Sequence, residues 1–355
     1  MATIITTTGI SLYLNTRKEY KTESPTDDEM RQYLRRQPAA ASAEANSLLQ
    51  LTQPVDALVF LCTETSESQR CAKLLKEFFL KRGHQQVRIE PLQFQDDEKH
   101  IETHGLRNLV NALIAEIEAA QRKNQEIVIN ATPGFKLESG YSTIIGMLYQ
   151  VPVKYIHEKF KRVVTLNPIA LDWDTNLFFN YSWFFKWVDQ EPRTQQDVEQ
   201  HLKGILELDK EQILTMLTKP DENNFVYLSP MGDVLFRKFR RETEEAALMD
   251  WPVPAEIDGV DEKIAESLVK SKHHPITNLL LSCRKIAELP FVRQVLGGNY
   301  ENTTLSRVKR YDAYGVIYVL WADDKKAQNL IVQTTAQGKP QTLKVANKIK
   351  EILNI

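Results

Sequence analysis

The 355 residues, 42% hydrophobic and 26% charged, have the composition of an ordinary globular protein of about two or three domains. No apolar run is long enough for a bilayer span, and the N-terminus lacks a basic region ahead of an apolar core. The three cysteines (Cys62, Cys71, Cys283) form neither a CxxC pair nor a disulfide framework, so a cytoplasmic protein without a metal or cofactor is expected. The net charge of −2 is unevenly spread: residues 275–355 hold 12 Lys+Arg against 6 Asp+Glu, and residues 1–274 hold 33 against 41. A basic end on an acidic body fits a module that meets a polyanion, or else a solvated basic face.

In chain order, Thr3–Thr7 reads as a strand, and Ser24-Pro25-Thr26-Asp27-Asp28-Glu29 as a helix start with proline in the first turn. Ala57–Cys62 is a buried-type strand, followed by Thr63-Glu64-Thr65-Ser66 and a helix to about Lys81. Val87–Pro91 is a strand, Leu106–Arg122 an amphipathic helix, and Glu126–Ala131 another strand with a helix to about Gln150 behind it. Val153–His157 and Val163–Leu166 are further strands. This alternation predicts a mostly parallel α/β sheet, covered on both faces and binding ligand beyond its carboxyl edge, where Thr8, Thr63 and Thr132 fall.

Leu177–Trp187 is densely aromatic, as domain packing, a dimer seam or a stacking platform would require. Glu191-Pro192-Arg193 marks a linker. Asp209–Leu217 reads as a helix and Asn223-Asn224 as a turn. Phe225–Ser229 and Val234–Arg240 read as a hairpin across Pro230-Met231-Gly232-Asp233. Helix, helix and wing suggest a winged-helix-like linker domain, with Arg237, Lys238, Arg240 and Arg241 on or after the wing, whether or not it touches nucleic acid. After the acidic connector Asp250–Ser271 come a helix (Ile276–Glu288), strands Leu305–Tyr311, Gly315–Trp321 and Asn329–Thr334, and a helix Leu343–Leu353. That order makes a small α+β domain. The expected domains are 1–188, 189–272 and 273–355.

Two turns carry the chemistry. In Thr6-Thr7-Thr8-Gly9-Ile10-Ser11 and in Asn130-Ala131-Thr132-Pro133-Gly134-Phe135-Lys136, an apolar β-branched run breaks into small hydroxyl residues and a glycine. Free backbone N–H groups at such turns can face an anion, and two turns in one domain suit a ligand with several phosphates. The second is equally readable as a plain βα turn with a surface lysine. It is not a Walker loop, since no Gly-Lys-Ser/Thr follows, and this argues against an NTPase.

These motifs resemble those of the CARF family, the Rossmann-like sensors of type III CRISPR systems. In that family a first strand ends in a Thr/Ser-Gly turn and a later one in Asn-x-Thr-x-Gly-x-Lys, a likeness that covers about residues 1–185 here. The resemblance implies a homodimer that binds a cyclic oligoadenylate, with cyclic tetra-adenylate the expected ring. Thr8, Gly9, Ser11, Thr132, Gly134, Phe135 and Lys136 would line it, Thr63 to Ser66 would be candidates for adenine or ribose contacts, and the aromatic stretch would help form the dimer. It also allows slow cleavage of the ligand by the sensor through Thr8, Ser11 and Lys136.

Neither the Arg-x4–6-His of a HEPN ribonuclease nor a convincing Glu-x-Lys strand of a PD-(D/E)xK nuclease follows Thr194. The last 80 residues instead resemble the RelE/HigB mRNA interferase fold. The resemblance rests on Leu289-Pro290-Phe291-Val292-Arg293, Ser306–Tyr311, Tyr314–Tyr318 and Lys339-Pro340-Gln341 ahead of a terminal helix. It implies cleavage of ribosome-bound mRNA by attack of the ribose 2′-OH on its own 3′-phosphate, with Arg307, Lys309, Arg310, Tyr311 and Lys339 as catalytic candidates. Period-two alternation puts Arg307 and Lys309 on one face and Val308 in the core. The family's arginine before the Val-Ile-Tyr-like strand is Gly315 here, and its C-terminal tyrosine has no counterpart beyond Tyr318. A second reading is a ligand-responsive transcription regulator that holds DNA through Arg237 and Lys238, with a non-catalytic last domain.

Overall fold

The computed structural model describes residues 1–93, 105–134, 136–156, 162–169, 173–269 and 276–355. They form two units: residues 1–173 with 216–219 and 227–234, and residues 174–215 with 220–226 and 235–355.

The first unit is built on β1 (Ala2–Thr8), β2 (Ala57–Thr63), β3 (Val87–Leu92), β4 (Glu126–Asn130), β5 (Val153–Ile156) and β6 (Val163–Leu166). Their order is β3-β2-β1-β4-β5-β6, parallel except for the antiparallel β6 edge. This is the mostly parallel α/β sheet that the alternation predicts, compatible with a Rossmann-like fold, and the strand order reverses between β1 and β4. The central strand β2 carries an unbroken apolar run, Leu58 to Cys62, all of it buried because both faces are covered. One face packs Ile4, Leu58 and Phe60 against Leu12, Met30, Leu34, Leu75 and Phe79. The helix Leu106–Arg122 buries Leu109, Val110, Leu113, Ile114 and Ile117. The burial raises the Cys62 thiol and pushes the Cys71 thiol up to about 12, so both stay protonated and unreactive at neutral pH.

Local details differ from the sequence reading. The helix expected at Ser24 begins at Asp27, with Thr26 and Glu29 forming a capping box, so Pro25 lies outside it. Two short helices, Pro38–Ala41 and Ala43–Leu51, lie between that helix and β2, where the sequence pattern predicts no element. His157 and Ser271, the last residues of an expected strand and of the connector, lie outside the described residues.

The second unit contains a short ladder of β7 (Arg193–Thr194) with β8 (Phe225–Val226) and a four-stranded antiparallel sheet. The latter comprises β9 (Val292–Glu301), β10 (Arg307–Tyr311), β11 (Val316–Ala322) and β12 (Ala327–Thr334), in the order β10-β11-β12-β9. The helices Leu279–Ala287 and Gly338–Leu353 pack against β9 and against β10 and β11, respectively. The strand β9 is not expected from the sequence, where Gly297-Gly298 reads as a breaker. Here the glycines serve close approach: a Cβ on Gly297 would stand 2.9 Å from Leu268 Cδ2.

The hairpin expected at 225–240 is corrected. Pro230–Leu248 is one helix, so Val234–Arg240 is helical. Ser229 Oγ accepts from Gly232 N–H at 3.0 Å, and proline occupies the first helical position, a helix start where a turn was read. The chain reversal comes earlier, with Asp221 Oδ1 accepting from the Asn223 and Phe225 N–H groups and Asn224 left-handed. The aromatic stretch is also spent internally. Phe178, Phe179, Phe184 and Phe185 are buried, Phe178 stacks on Phe236 and Phe239, and Trp183 is left exposed.

Candidate functional site

At the switch point of the first unit, β1 and β4 run side by side with Thr6 opposite Asn130. Buried Asn130 donates to Thr6 Oγ1 (3.1 Å) and Ser47 Oγ (2.8 Å), and its own Oδ1 accepts from Thr132 N–H (3.2 Å). Thr7 Oγ1 donates to Pro133 O at 2.8 Å. The two predicted turns are therefore bonded to each other at the carboxyl edge. Gly134 turns with φ +96°, and the helix Lys136–Leu148 starts two residues later.

The candidates fare differently. The Thr8 carbonyl accepts from Ser68 Oγ at 3.0 Å, while its hydroxyl is buried without a partner among the described residues. Thr63 Oγ1 pairs with Thr65 Oγ1 at 3.1 Å, and Thr65 caps the helix Ser66–Lys81. Thr132 Oγ1 accepts from Ile156 N–H at 3.0 Å and keeps its own hydrogen to donate. Lys136 is exposed, its side chain with no ion pair or hydrogen bond among the described residues; Phe135 lies outside them.

Sequence reasoning missed Glu44. This buried carboxylate accepts from Gly9 N–H (2.9 Å), Ser11 Oγ (2.7 Å) and Ser42 Oγ (2.6 Å). In this structure two donors of the first turn, Gly9 N–H and Ser11 Oγ, are thus taken up by a carboxyl group of the protein itself. Glu44→Ala would strand three donors, two of them from the predicted turn. It is expected to lower unfolding free energy by about 2–3 kcal/mol, measured by urea titration of the full chain.

In the second unit the cations gather on one sheet face. Arg307 lies opposite Leu320, and Leu320 opposite Asn329, so the three share a face. Register then slips at Lys309: Val308 pairs with Val319, yet Arg310 pairs with Tyr318. Strict alternation would send Arg310 to the side of buried Val308; the bulge returns it to the Tyr318 side, with its guanidinium 4.1 Å from that ring's centroid. Lys309 Nζ donates to Glu301 Oε1 (2.6 Å) and Asn329 Oδ1 (3.2 Å). Arg307 is paired with Asp209 of the helix Glu207–Thr215, and Tyr181 donates to the same carboxylate oxygen at 2.6 Å. Burial and this carboxylate raise the Tyr181 hydroxyl well above its ordinary value.

Tyr311 does not join the cations. It is buried beside Phe179, with its hydroxyl 3.3 Å from Thr175 Oγ1. Lys339 belongs to the first turn of the closing helix, where Gly338 N–H donates to Ala313 O at 3.0 Å. The structure therefore brings together Arg307, Lys309 and Arg310, adds Glu301, Asn329, Asp209 and Tyr181, and sets Tyr311 apart. Among the described residues, no helix is long and apolar enough to cross a membrane.

Two similarities accompany this geometry. Over its length the chain is similar to protein VC1899 from Vibrio cholerae, at 10% identity, covering 94% of this chain and 77% of that one with a TM-score of 0.28, which is too low to bear on fold or activity. Residues 39–169 match the family model described as CRISPR-associated protein (Cas_APE2256), a stretch that runs from the Pro38–Ala41 helix through β6 and includes Asn130–Lys136. That match supports a CRISPR-associated protein.

Proposed function

We propose that this protein is a cyclic-oligoadenylate-activated, ribosome-dependent mRNA endoribonuclease of type III CRISPR antiviral defence. The observation that carries the reading is the gathering of Arg307, Lys309 and Arg310 on one face of a basic terminal domain, in a chain whose CRISPR-associated segment ends a strand in Asn130–Lys136. Cleavage at a ribose 2′-OH builds negative charge on a phosphorane, and clustered cations offset it. In this reading the first unit is a CARF sensor in a homodimer, with cyclic tetra-adenylate at the switch point between β1 and β4. Lys136 clamps a phosphate, and the segment around 189–272 relays the signal to a RelE-like domain.

No specific observation favours the DNA-binding alternative. Lys238, Arg240 and Arg241 on the helix Pro230–Leu248 are paired with Glu242, Asp189 and Glu245. The test is to incubate the protein with each cyclic oligoadenylate and ribosomes stalled on a defined mRNA, then map the cuts. A-site cleavage that appears only with ligand is expected. Intact mRNA under every condition would end the proposal.

A further inference from the structure

The cationic face contains a carboxylate oriented differently from an ordinary ion-pair partner. Glu301, the last residue of β9, is held through one oxygen alone: Oε1 accepts from Lys309 Nζ at 2.6 Å and Asn329 Nδ2 at 2.8 Å. Its Oε2 has no hydrogen-bond partner among the described residues, and the side chain is 36% exposed, so the second oxygen opens outward. Asn329 is itself fixed, donating to Asn299 O at 2.9 Å, and it binds both members of the pair. The other carboxylate of this face, Asp209, is only 15% exposed and is occupied by Arg307 and Tyr181.

On the reading of this domain as an endoribonuclease, we propose that Glu301 is the general base that takes the ribose 2′-hydroxyl proton and Lys309 the general acid for the leaving oxygen. Glu301 Oε2 accepts the proton as the 2′-oxygen forms its bond to phosphorus. The bond from phosphorus to the 5′-oxygen then breaks, and that oxygen takes a proton from the Lys309 ammonium. Products are a 2′,3′-cyclic phosphate and a 5′-hydroxyl. The proton on Glu301 Oε2 then leaves to solvent and the Lys309 amine regains one from solvent, which restores both groups with no reactant other than water. Lys309 and Asn329 hold the Glu301 carboxyl below the usual carboxylate range, so it is ionised at neutral pH, the state in which it can take a proton. Arg307 and Arg310 remain to meet the charge on the phosphorane.

The test uses the full-length protein, cyclic tetra-adenylate and ribosomes carrying a synthetic mRNA, under single-turnover conditions. Glu301→Gln keeps the acceptor for Lys309 and Asn329, and is expected to cut about 10²–10⁴-fold more slowly while binding the mRNA-loaded ribosome as wild type does. Lys309→Ala is expected to slow comparably on ordinary mRNA. On mRNA with sulfur at the bridging 5′ position, whose thiolate leaves without a proton, Lys309→Ala should recover and Glu301→Gln should not. Cleavage by Glu301→Gln within about threefold of wild type overturns the assignment, as does its recovery on the sulfur substrate, since neither is compatible with a base contributing at the usual scale. Wild-type protein that leaves the mRNA uncut overturns the endoribonuclease reading itself, and the assignment with it.

Discussion

Arg307→Ala should abolish ligand-activated mRNA cleavage, and Asp209→Asn should release cleavage that needs no ligand. Both follow from one contact. On the proposed function Arg307 would contribute the charge that a phosphorane needs, so its loss is expected to cost about 10²–10³-fold in single-turnover rate. In the structure that charge is already met by the Asp209 carboxylate, with both side chains at most 20% exposed, and its Nε has no partner among the described residues. A phosphate at Arg307 must therefore compete with Asp209. Asparagine keeps an acceptor for Tyr181 and Arg307 but gives up the negative charge. Ligand-free cleavage by Asp209→Asn should rise about 5–150-fold, the usual span of a coupling free energy. Stability should fall by about 1–2 kcal/mol as a charged hydrogen bond becomes a neutral one. A gain of activity alongside a loss of stability is difficult to obtain from simple damage. If Asp209→Asn is as silent without ligand as wild type, the contact is structural and does not hold the site closed.

The legible parts of this chain are those whose signal is local. Hydrophobic runs such as Ala57–Cys62 and the helical spacing of Leu106–Arg122 gave strands and helices close to those observed. The edge that gathers Thr8, Thr63 and Thr132 follows from parallel-sheet topology alone. What sequence did not yield depends on partners distant in the chain. Glu44 is 35 residues from Gly9, in a helix whose Ala43–Leu51 pattern is short and weakly periodic. Arg310 joined the cations only because the register slips at Lys309, and a bulge has no reliable signature in Arg-Val-Lys-Arg-Tyr. Asp209 and Arg307 are 98 residues apart. Ser229-Pro230 was misread for another reason: serine and proline serve turns and helix starts alike, and the choice depends on the apolar residues that follow. Val234, Leu235, Phe236 and Phe239 are buried at helical spacing, which outweighs the turn signal of Gly232-Asp233.

A second large effect is expected at the turn between β4 and its helix, where Gly134→Ala should both destabilise the first unit and impair ligand binding. Gly134 has φ +96°, a conformation that costs a residue bearing a Cβ about 1–3 kcal/mol. The added Cβ would stand 2.1 Å from Glu138 Oε2 and 2.7 Å from Thr7 Oγ1. Glu138 can swing aside, but Thr7 has a short side chain whose hydroxyl ties the first turn to Pro133 O. Moving Thr7 uncouples the two turns and shifts Lys136, two residues on. Unfolding free energy should therefore drop by about 2–4 kcal/mol, the sum of backbone strain and one lost buried hydrogen bond. Affinity for cyclic tetra-adenylate, measured by calorimetric titration, should weaken more than about tenfold, the equivalent of 1.4 kcal/mol. Gly140 supplies the control. It is exposed within the helix Lys136–Leu148, and a Cβ there meets nothing within 4 Å. Gly140→Ala should instead stabilise by about 0.5–1 kcal/mol through reduced backbone entropy in the unfolded chain, with ligand affinity unchanged. Equal effects of the two substitutions on binding would mean that the Gly134 turn does not hold the ligand, and the anion site would then have to lie elsewhere on the carboxyl edge.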